Sequence, residues 1–504
     1  MRNSRRAGLL AAVFMSGLVV AALPANAESL ADAIALAFKS NPSLLRQRST
    51  LRNADETYFR TRAGLGPSLT ANLTVSASSA TDLLHGGGPS PTFGATTSSD
   101  NTNSSIGVTA SATANQTVYS GGAKAAAMDS QRDSLLSARE SLRSIEQTLL
   151  QQVVTAYTGV RSAEQQLVIA QADLDSNKEA YNQATAKFQA GAATRTDQAQ
   201  AESRVAQSQT SLTSAQNTLA NARITYLTVI GQMPGTLQEQ PLLDSALPAS
   251  EKAAFDIAVL NSPTLRQAYL QERISAEGIV TAQSAYRPTV TLNTGPTVGD
   301  TARFPGVGFG YGNTTGQWAT SLTMSVPIYP GRTTASNVRT AQESNASDRL
   351  AIDQARRTLN QQINTAWNAL VAARAQKISQ TEAVTAQTLT TEGTIEQFKQ
   401  GLSTSLDELN AQLELATAQQ ALVTAKFAEY NAGVALLVAM GQISPETFGA
   451  KVDAYDPTAH FNQINGSADL PWTPLIENLD RIGVPPPPPY VPAPDEVVPQ
   501  FKAP

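Results

Sequence analysis

Cysteine is absent from the 504 residues, which excludes disulfides, thiolate metal sites and a lipid-modified cysteine. Histidine is scarce too. His85 stands in a Gly/Ser/Thr-rich stretch and His460 in a proline-rich one, and neither has a sequence partner that would make a metal site or a triad. The run Gly306-Val-Gly308-Phe-Gly310-Tyr-Gly312 is spaced like a phosphate loop, but it lies inside a hairpin loop, not between a strand and a helix. No enzymatic activity, metal or cofactor is therefore expected. Positive charge is also in deficit, with 36 Lys plus Arg against 41 acids, which excludes nucleic acid as a partner.

Long apolar runs are missing beyond the first residues. Arg2, Arg5 and Arg6, the apolar stretch Ala7 to Leu23 and the small-residue site Ala25-Asn26-Ala27 predict a secretory signal peptide over residues 1–27. A transmembrane anchor is the alternative, and the apolar core is short for one. Removing the three arginines leaves 33 cations against 41 acids, a net charge of −8. The remainder has no 18-residue apolar run, so a membrane would have to be crossed with strands.

What is there is helix periodicity of unusual length. From Gly122 to Gln189 one glycine, Gly159, and no proline interrupt the pattern. Apolar or small residues step by threes and fours through Leu149, Val153, Ala156, Val160, Ala163, Leu167, Ala170, Leu174, Asn177, Tyr181, Ala184 and Phe188. A helix of that length reaches about 100 Å, so its seam has to be buried by other long helices.

The sequence repeats itself at an offset of 210 residues. Val118-Tyr119-Ser120-Gly121 falls on Ile328-Tyr329-Pro330-Gly331, Tyr157 on Trp367, Phe188 on Phe398, and Ile230-Gly231-Gln232 on Met440-Gly441-Gln442. Before the hairpins the offset is 221, pairing Pro42 with Pro263 and Pro67 with Pro288. We read a tandem duplication, residues 28–240 and 241–450, with one loop longer. Each half opens with a short amphipathic helix, Ser29 to Lys39 or Lys252 to Leu260, closed at Asn41-Pro42 or Asn261-Ser262-Pro263. A second helix follows in each.

The period then changes to two. Leu69, Ala71, Leu73 and Val75 alternate with Thr70, Asn72, Thr74 and Ser76, and Ile106, Val108, Ala110, Ala112 and Ala114 with Thr109, Ser111 and Thr113. The second half repeats this with Val290, Leu292, Trp318, Thr320, Leu322, Met324, Val326 and Ile328. One hairpin per half results, over 68–118 and 289–328, enclosing polar loops Ser79 to Ser104 and Pro296 to Gln317. The apolar rows place Leu69, Leu73, Val75, Val108, Leu292, Trp318, Leu322 and Met324 toward lipid, in strands long enough to cross a bilayer when tilted.

From each hairpin the chain enters a long helix, 122–189 or 332–399, and returns in a shorter one, 194–230 or 404–440. The second long seam begins with Ile352, Leu359, Ile363, Ala366, Leu370 and Ala373, then weakens at Lys377, Gln380, Gln387 and Thr391. The helices turn at matching motifs, Phe188-Gln-Ala-Gly191-Ala-Ala-Thr194-Arg-Thr-Asp197 and Phe398-Lys-Gln-Gly401-Leu-Ser-Thr404-Ser-Leu-Asp407. Glycine ends one helix and threonine caps the next, with aspartate at capping-box spacing. The segment 451–504, with Pro485 to Pro489 in a row, is expected to be a disordered or polyproline passive tail.

Four strands cannot close around anything, and an open sheet edge is not tolerated in lipid, so closure has to come from other copies. Three copies give a twelve-stranded barrel, and the same symmetry gathers the helices into a hollow coiled-coil tunnel beneath it. The fold class is thus mainly α with transmembrane β, in a homotrimer.

On the duplication, the hairpin followed by Tyr-Ser-Gly-Gly or Tyr-Pro-Gly-Arg, and the paired Phe-x-x-Gly-x-x-Thr-x-x-Asp turns, the chain resembles the TolC family of outer-membrane export channels. The resemblance runs from Glu28 to about Gln442. It implies a barrel in the outer membrane of a Gram-negative bacterium, a periplasmic tunnel, and docking through a periplasmic adaptor to an inner-membrane transporter of RND or ABC type, as the exit duct for multidrug efflux or type I protein secretion. The turns, Gly191 and Thr194 with Gly401, Leu402 and Thr404, are then the adaptor contact. A structural coiled-coil spacer without a pore is the alternative function. In the resembled family the periplasmic end is closed by a tie of aspartate, tyrosine and arginine, with rings of aspartate below. Asp197 matches the tie's aspartate and Asp407 one ring, whereas Phe398 stands at the tyrosine, Ser403 at the arginine and Asn410 at the second ring. The alternative for both aspartates is a plain helix-start role favoured by the helix dipole.

Overall fold

The computed structural model describes residues 28–81, 102–243, 246–305, 314–453, 455–465 and 470–490. The signal segment, His85, the run from Gly306 to Gly312 and the residues after Tyr490 lie outside these.

Two short helices, α1 (Leu30–Ser40) and α2 (Pro42–Ala63), meet at Asn41. Its side-chain carbonyl accepts from Ser43 N at 2.9 Å and caps α2, and Pro42 opens that helix where no intrahelical N–H is needed. Its amide nitrogen donates to Val229 O at 3.0 Å, and Ser40 Oγ donates to Ile230 O at 3.0 Å. Those carbonyls end α4 (Arg195–Ile230), so α2 stands on α4, and both run beside α3 (Ala123–Gln189). At helical rise, the 22 and 36 residues of α2 and α4 make about 33 and 54 Å, against about 100 Å for the 67 residues of α3.

The same order follows in the second half, with α5 (Glu251–Asn261), α6 (Pro263–Ser284), α7 (Gly331–Lys399) and α8 (Ser405–Ala439). Ser262 caps α6 as Asn41 caps α2. Gly441, at φ 69°, passes so close to this joint that a Cβ would stand 2.6 Å from Asn261 O. Only glycine fits there.

The core is a seam more than a centre. Leu149, Val153, Ala156, Val160 and Ala163 of α3 are buried with Leu30, Ile34, Leu44, Tyr226 and Ile230, and Ile352, Leu359, Ile363 and Leu370 of α7 join the same cluster. Below Ala373 the α7 seam turns polar. Lys377 Nζ meets Glu429 Oε2 at 2.6 Å, and the Thr391 hydroxyl donates to Ala411 O at 3.0 Å. In α3 the switch comes at Asn177, whose amide donates to Ser208 Oγ at 2.8 Å, while that hydroxyl donates to Asp173 Oδ2 at 2.6 Å. Helix α8 holds the one apolar window among the described residues that is long enough to cross a membrane, which differs from the expectation of none. Its Val423, Phe427, Val434 and Leu437 are buried inside the protein, so the window is a coil seam.

The strands β1 (Ser68–Thr81), β2 (Thr102–Tyr119), β3 (Thr289–Pro305) and β4 (Thr315–Ser325) form one antiparallel sheet in that order. Strand β3 runs through the stretch from Pro296 that the sequence assigned to a loop, and β4 stops at Ser325, short of Ile328. Pro296 is accommodated because the β2–β3 ladder is interrupted between its Ser111–Thr297 and Ala114–Thr294 pairs. At the adjacent Gly295 the backbones approach so closely that a Cβ would fall 1.9 Å from Ala112 O.

The C-terminal segment departs most from expectation. It is not a passive extension over its described residues. A 3₁₀ turn (Pro445–Phe448) leads to α9 (Ala459–Ile464), where Phe461 packs on Tyr58 and Phe59 and His460 Nδ1 lies 3.1 Å from Asp55 Oδ2. His460 thus has an acid partner, 405 residues away, that sequence spacing could not show. Helix α10 (Thr473–Asp480) then reaches the neck between sheet and helices. There Asp480 accepts from the Ser120 hydroxyl at 2.9 Å and from Gly122 N and Ala125 N at 3.3 and 3.1 Å, supplying the N-terminal cap that Gly122 cannot. Arg481 grips Asp129 with two bonds, of 2.7 and 3.0 Å. The prolines after Val484 follow a groove lined by Ile279, Val280 and Asn345 to Tyr490, which stacks edge-on against Tyr269.

Beneath that segment Asp129, Asp133 and Glu277 crowd together, faced by Arg273 and Arg481. Burial pushes Asp133 up to about 6 and Glu277 up to about 7. Both folded-state values lie above the unfolded ones, so the native protein holds protons that the unfolded chain releases. The stability from these groups is full below the unfolded carboxyl range and falls as pH rises toward 7. Thermal unfolding in detergent should therefore occur at lower temperature near about pH 8 than near about pH 5, and Glu277→Gln should flatten the difference. An unchanged pH profile in the variant would remove Glu277 from the account.

Candidate functional site

Two regions carry the residues that the sequence singled out, the sheet and the tips of the long helices. In the sheet, the register decides which side chains share a face. Leu69 stands opposite Ala114, Leu73 opposite Ala110 and Val75 opposite Val108; Ala110 is in turn opposite Val298, and Leu292 opposite Leu322. Directly paired residues point the same way. Leu69, Leu73, Val75, Val108, Leu292, Trp318, Leu322 and Met324 therefore all fall on one face. Most are openly exposed, from 42% at Val108 to 75% at Leu69, with Leu292 half-buried. The opposite face carries Thr70, Asn72, Thr74, Thr109, Ser111, Thr113 and Ser321, with Asn115 donating to Asn293 Oδ1 at 2.7 Å. A soluble sheet would not leave so broad an apolar face uncovered.

At the tips, α3 and α7 end alike. Gly191 and Gly401 both take φ 72°. Gly191 N bonds Phe188 O at 3.0 Å and Ala192 N bonds Lys187 O at 2.8 Å; Gly401 N and Leu402 N do the same to Phe398 O and Gln397 O. This is the Schellman pattern, and it needs a left-handed residue where glycine stands. Thr194 and Thr404 then cap α4 and α8. Asp197 Oδ2 accepts from Thr194 N at 2.9 Å and from its hydroxyl at 2.7 Å, and Asp407 Oδ2 accepts from Thr404 N and hydroxyl at 2.9 and 2.6 Å. These bonds hold both carboxyls below the usual carboxylate range. Leu402 projects from its turn, 78% exposed.

The family model for outer membrane efflux proteins matches residues 33–232 and again 255–442. The chain belongs to the outer membrane efflux protein family. It is 29% identical to the outer membrane efflux protein BepC of Brucella suis over 455 residues, covering 90% of this chain and 94% of that one. Among solved structures, the CmeC outer membrane channel of Campylobacter jejuni superposes with a TM-score of 0.69 at 15% identity, covering 88% of this chain and 90% of that one. The open state of the MtrE outer membrane channel of Neisseria gonorrhoeae gives 0.66 at 22%, covering 82% and 88%. The resemblance to TolC-type channels read from the hairpin and turn motifs therefore holds, and the place of this efflux protein is the outer membrane.

In this efflux protein the five residues at the matched gate positions are not one bonded set. Asp197 and Asp407 make their bonds inside their own turns. Ser403 Oγ donates to Thr394 O at 3.3 Å. The two others meet partners that the sequence reading missed. Asn410 Oδ1 accepts from Arg204 Nη2 at 2.6 Å, and the Phe398 ring lies 3.7 Å below Lys187 Nζ. Beside them Ala184, Ala201 and Leu409 form a small buried cluster. The neighbouring Glu408 is buried too, which raises its pKa while Lys187 and Lys399 lower it. One signal could have found Arg204. It stands one turn after the seam residue Ala201, as Asn410 adjoins the seam residue Leu409.

Arg204→Ala should loosen the start of α4 and of α8 together. Loss of a charge-assisted bond of about 1.5 kcal/mol would speed amide exchange there roughly tenfold. Hydrogen exchange read by mass spectrometry tests this. The Asn410→Ala variant should match it and the double variant add little; additive effects would mean that the two side chains act separately.

Proposed function

We propose that three copies of this efflux protein form the exit duct of a tripartite export machine, receiving its cargo from an inner-membrane transporter of RND or ABC type through a periplasmic adaptor. One observation carries the reading: a four-stranded sheet with one apolar and one polar face, whose outer strands β1 and β4 pair on one side only among the described residues. Lipid does not tolerate such edges. Pairing β4 of one copy with β1 of the next, three times over, makes a closed barrel of twelve strands, with the apolar face to lipid and the Thr/Ser/Asn face to water. The long helices, continuous with the strands through short neck turns, extend the lumen as a tunnel. Two matches to the family model and the twice-repeated element order favour a tandem duplication as the origin of the chain.

The open turns at Gly191, Thr194, Gly401, Leu402 and Thr404 are the surface offered to the adaptor. A Cβ on either glycine would meet nothing within 4 Å, so the turns are unencumbered. At the narrow end Asp407, placed just past a turn, brings three carboxylates toward the axis, where they favour cations. Asp197 serves first as a cap, and Arg204 and Lys187 tie the first pair of tip helices to the second. A coiled-coil spacer without a pore would have no use for the apolar sheet face, which disfavours that reading.

Purified protein should run as a trimer in mild detergent. Leu73→Arg and Leu322→Arg should each impair outer-membrane insertion, at about 2–4 kcal/mol per chain for a residue near the bilayer midplane. A monodisperse monomer that keeps its strand signal, or normal insertion of both variants, would contradict the proposal.

A further inference from the structure

Helix α10 has one face covered by the body of the protein and an apolar stripe that is not. Thr473, Ile476 and Asp480, at positions i, i+3 and i+7, face inward and are buried. Ile476 packs with Leu65, Met128 and Tyr58, and Asp480 caps α3. A second stripe at helical spacing, Trp472, Leu475, Leu479 and Ile482, faces outward. Trp472, Leu475 and Ile482 are 46%, 62% and 63% exposed, and Leu479 is half-buried. No charge enters this stripe, because Arg481 turns to Asp129 and Glu477. An apolar stripe left outside the buried face calls for a second apolar partner.

The register of the sheet says what lies beside that stripe. An irregularity between Thr117 and Tyr119 sets Tyr119 opposite Val290, which is itself opposite Met324. Tyr119 therefore points out of the apolar face at its helix-side end. Its hydroxyl donates to Ile482 O at 3.2 Å. Gln116, on the same face as Ala114, donates to Leu65 O at 2.7 Å, and Leu65 is the residue that Ile476 covers. Both contacts put α10 at the foot of the apolar face, on its outer side, so the exposed stripe continues that face downward. The mix of residues suits a boundary: a tryptophan and a tyrosine, aliphatic side chains, and the charges turned inward.

We propose that α10 is an interfacial helix, with Trp472, Leu475 and Ile482 seated in the headgroup-to-acyl boundary of the leaflet nearer the periplasm, so that the C-terminal segment sets the depth of the barrel in the membrane. This rests on the barrel reading above. The occupant is lipid and not a neighbouring copy, because α10 lies beneath β2, one strand in from the β1 edge where a neighbour would pair. Short amphipathic segments with aromatic residues bind lipid surfaces in this way.

The lack of cysteine makes the test direct. Leu475→Cys, Trp472→Cys and, as reference, Leu73→Cys would each carry a polarity-sensitive fluorophore, in full-length protein reconstituted into phosphatidylethanolamine–phosphatidylglycerol vesicles. A share of the lipid would bear a nitroxide at the headgroup end or the chain end. The Leu73 label should be quenched most by the chain-end nitroxide. The labels at 472 and 475 should be blue-shifted and quenched most by the headgroup-end nitroxide. A quenched Leu73 label with red-shifted, unquenched labels on α10 would overturn the proposal and leave the barrel standing. Blue-shifted but unquenched labels on α10 would also overturn it, since a neighbouring copy would then be the cover. If Leu73 too escapes quenching, the barrel reading falls and this inference with it.

Discussion

Everything else follows from the outer edges of β1 and β4, which have no strand partner among the described residues. Each edge presents a row of N–H and C=O groups that water would satisfy and lipid cannot. The apolar face beside those edges, with Leu69, Leu73, Trp318 and Leu322 exposed, places them in lipid. A single chain has no way to meet both conditions, and the closure through three copies that we propose would meet both at once. The helices obey the same logic. A seam of about 100 Å cannot be buried by one short partner, so α2 and α4 are stacked end to end along α3, held by Asn41 and Ser40 at the joint.

The neck is where strand geometry is converted to helix geometry. Gly121 and Gly122 take left-handed conformations at φ 68° and 90°, and Arg287 Nη1 donates to Gly121 O at 2.7 Å. Glycine permits the turn but has no side chain to cap α3, and Ser120 Oγ takes only the Lys124 amide, at 3.0 Å. Asp480 provides a cap from the far end of the chain, so the C-terminal segment is part of the junction it was expected merely to trail behind. At the other end, the tips are ended and restarted by local motifs alone, which leaves their outer surfaces open.

What was legible in the sequence follows from range. The Schellman turns at Gly191 and Gly401, the caps at Thr194 and Thr404, the α3 seam and the alternation along β1 are set by residues a few positions apart, and each stands where the spacing placed it, except that Phe188 at the end of the α3 seam is 39% exposed. The weakening of the α7 seam at Lys377 was legible for the same reason. The ends of the strands were not, because proline reads as a breaker, and only the gap in pairing around Ala112 explains how Pro296 stays inside β3. Nor were Asp480 on Ala125, 355 residues apart, His460 on Asp55, or Arg204 on Asn410. Those contacts depend on tertiary placement, which periodicity does not encode.

In the proposed barrel one face of the sheet meets lipid and the other water. Single cysteines along β4 test it most directly, since the chain supplies none of its own. With protein in outer membranes, a membrane-impermeant maleimide should label Ala319→Cys, Ser321→Cys and Thr323→Cys. Trp318→Cys, Leu322→Cys and Met324→Cys should react only with a lipid-soluble reagent. Labelling by the impermeant reagent without alternation, or with the two sets exchanged, would contradict the account.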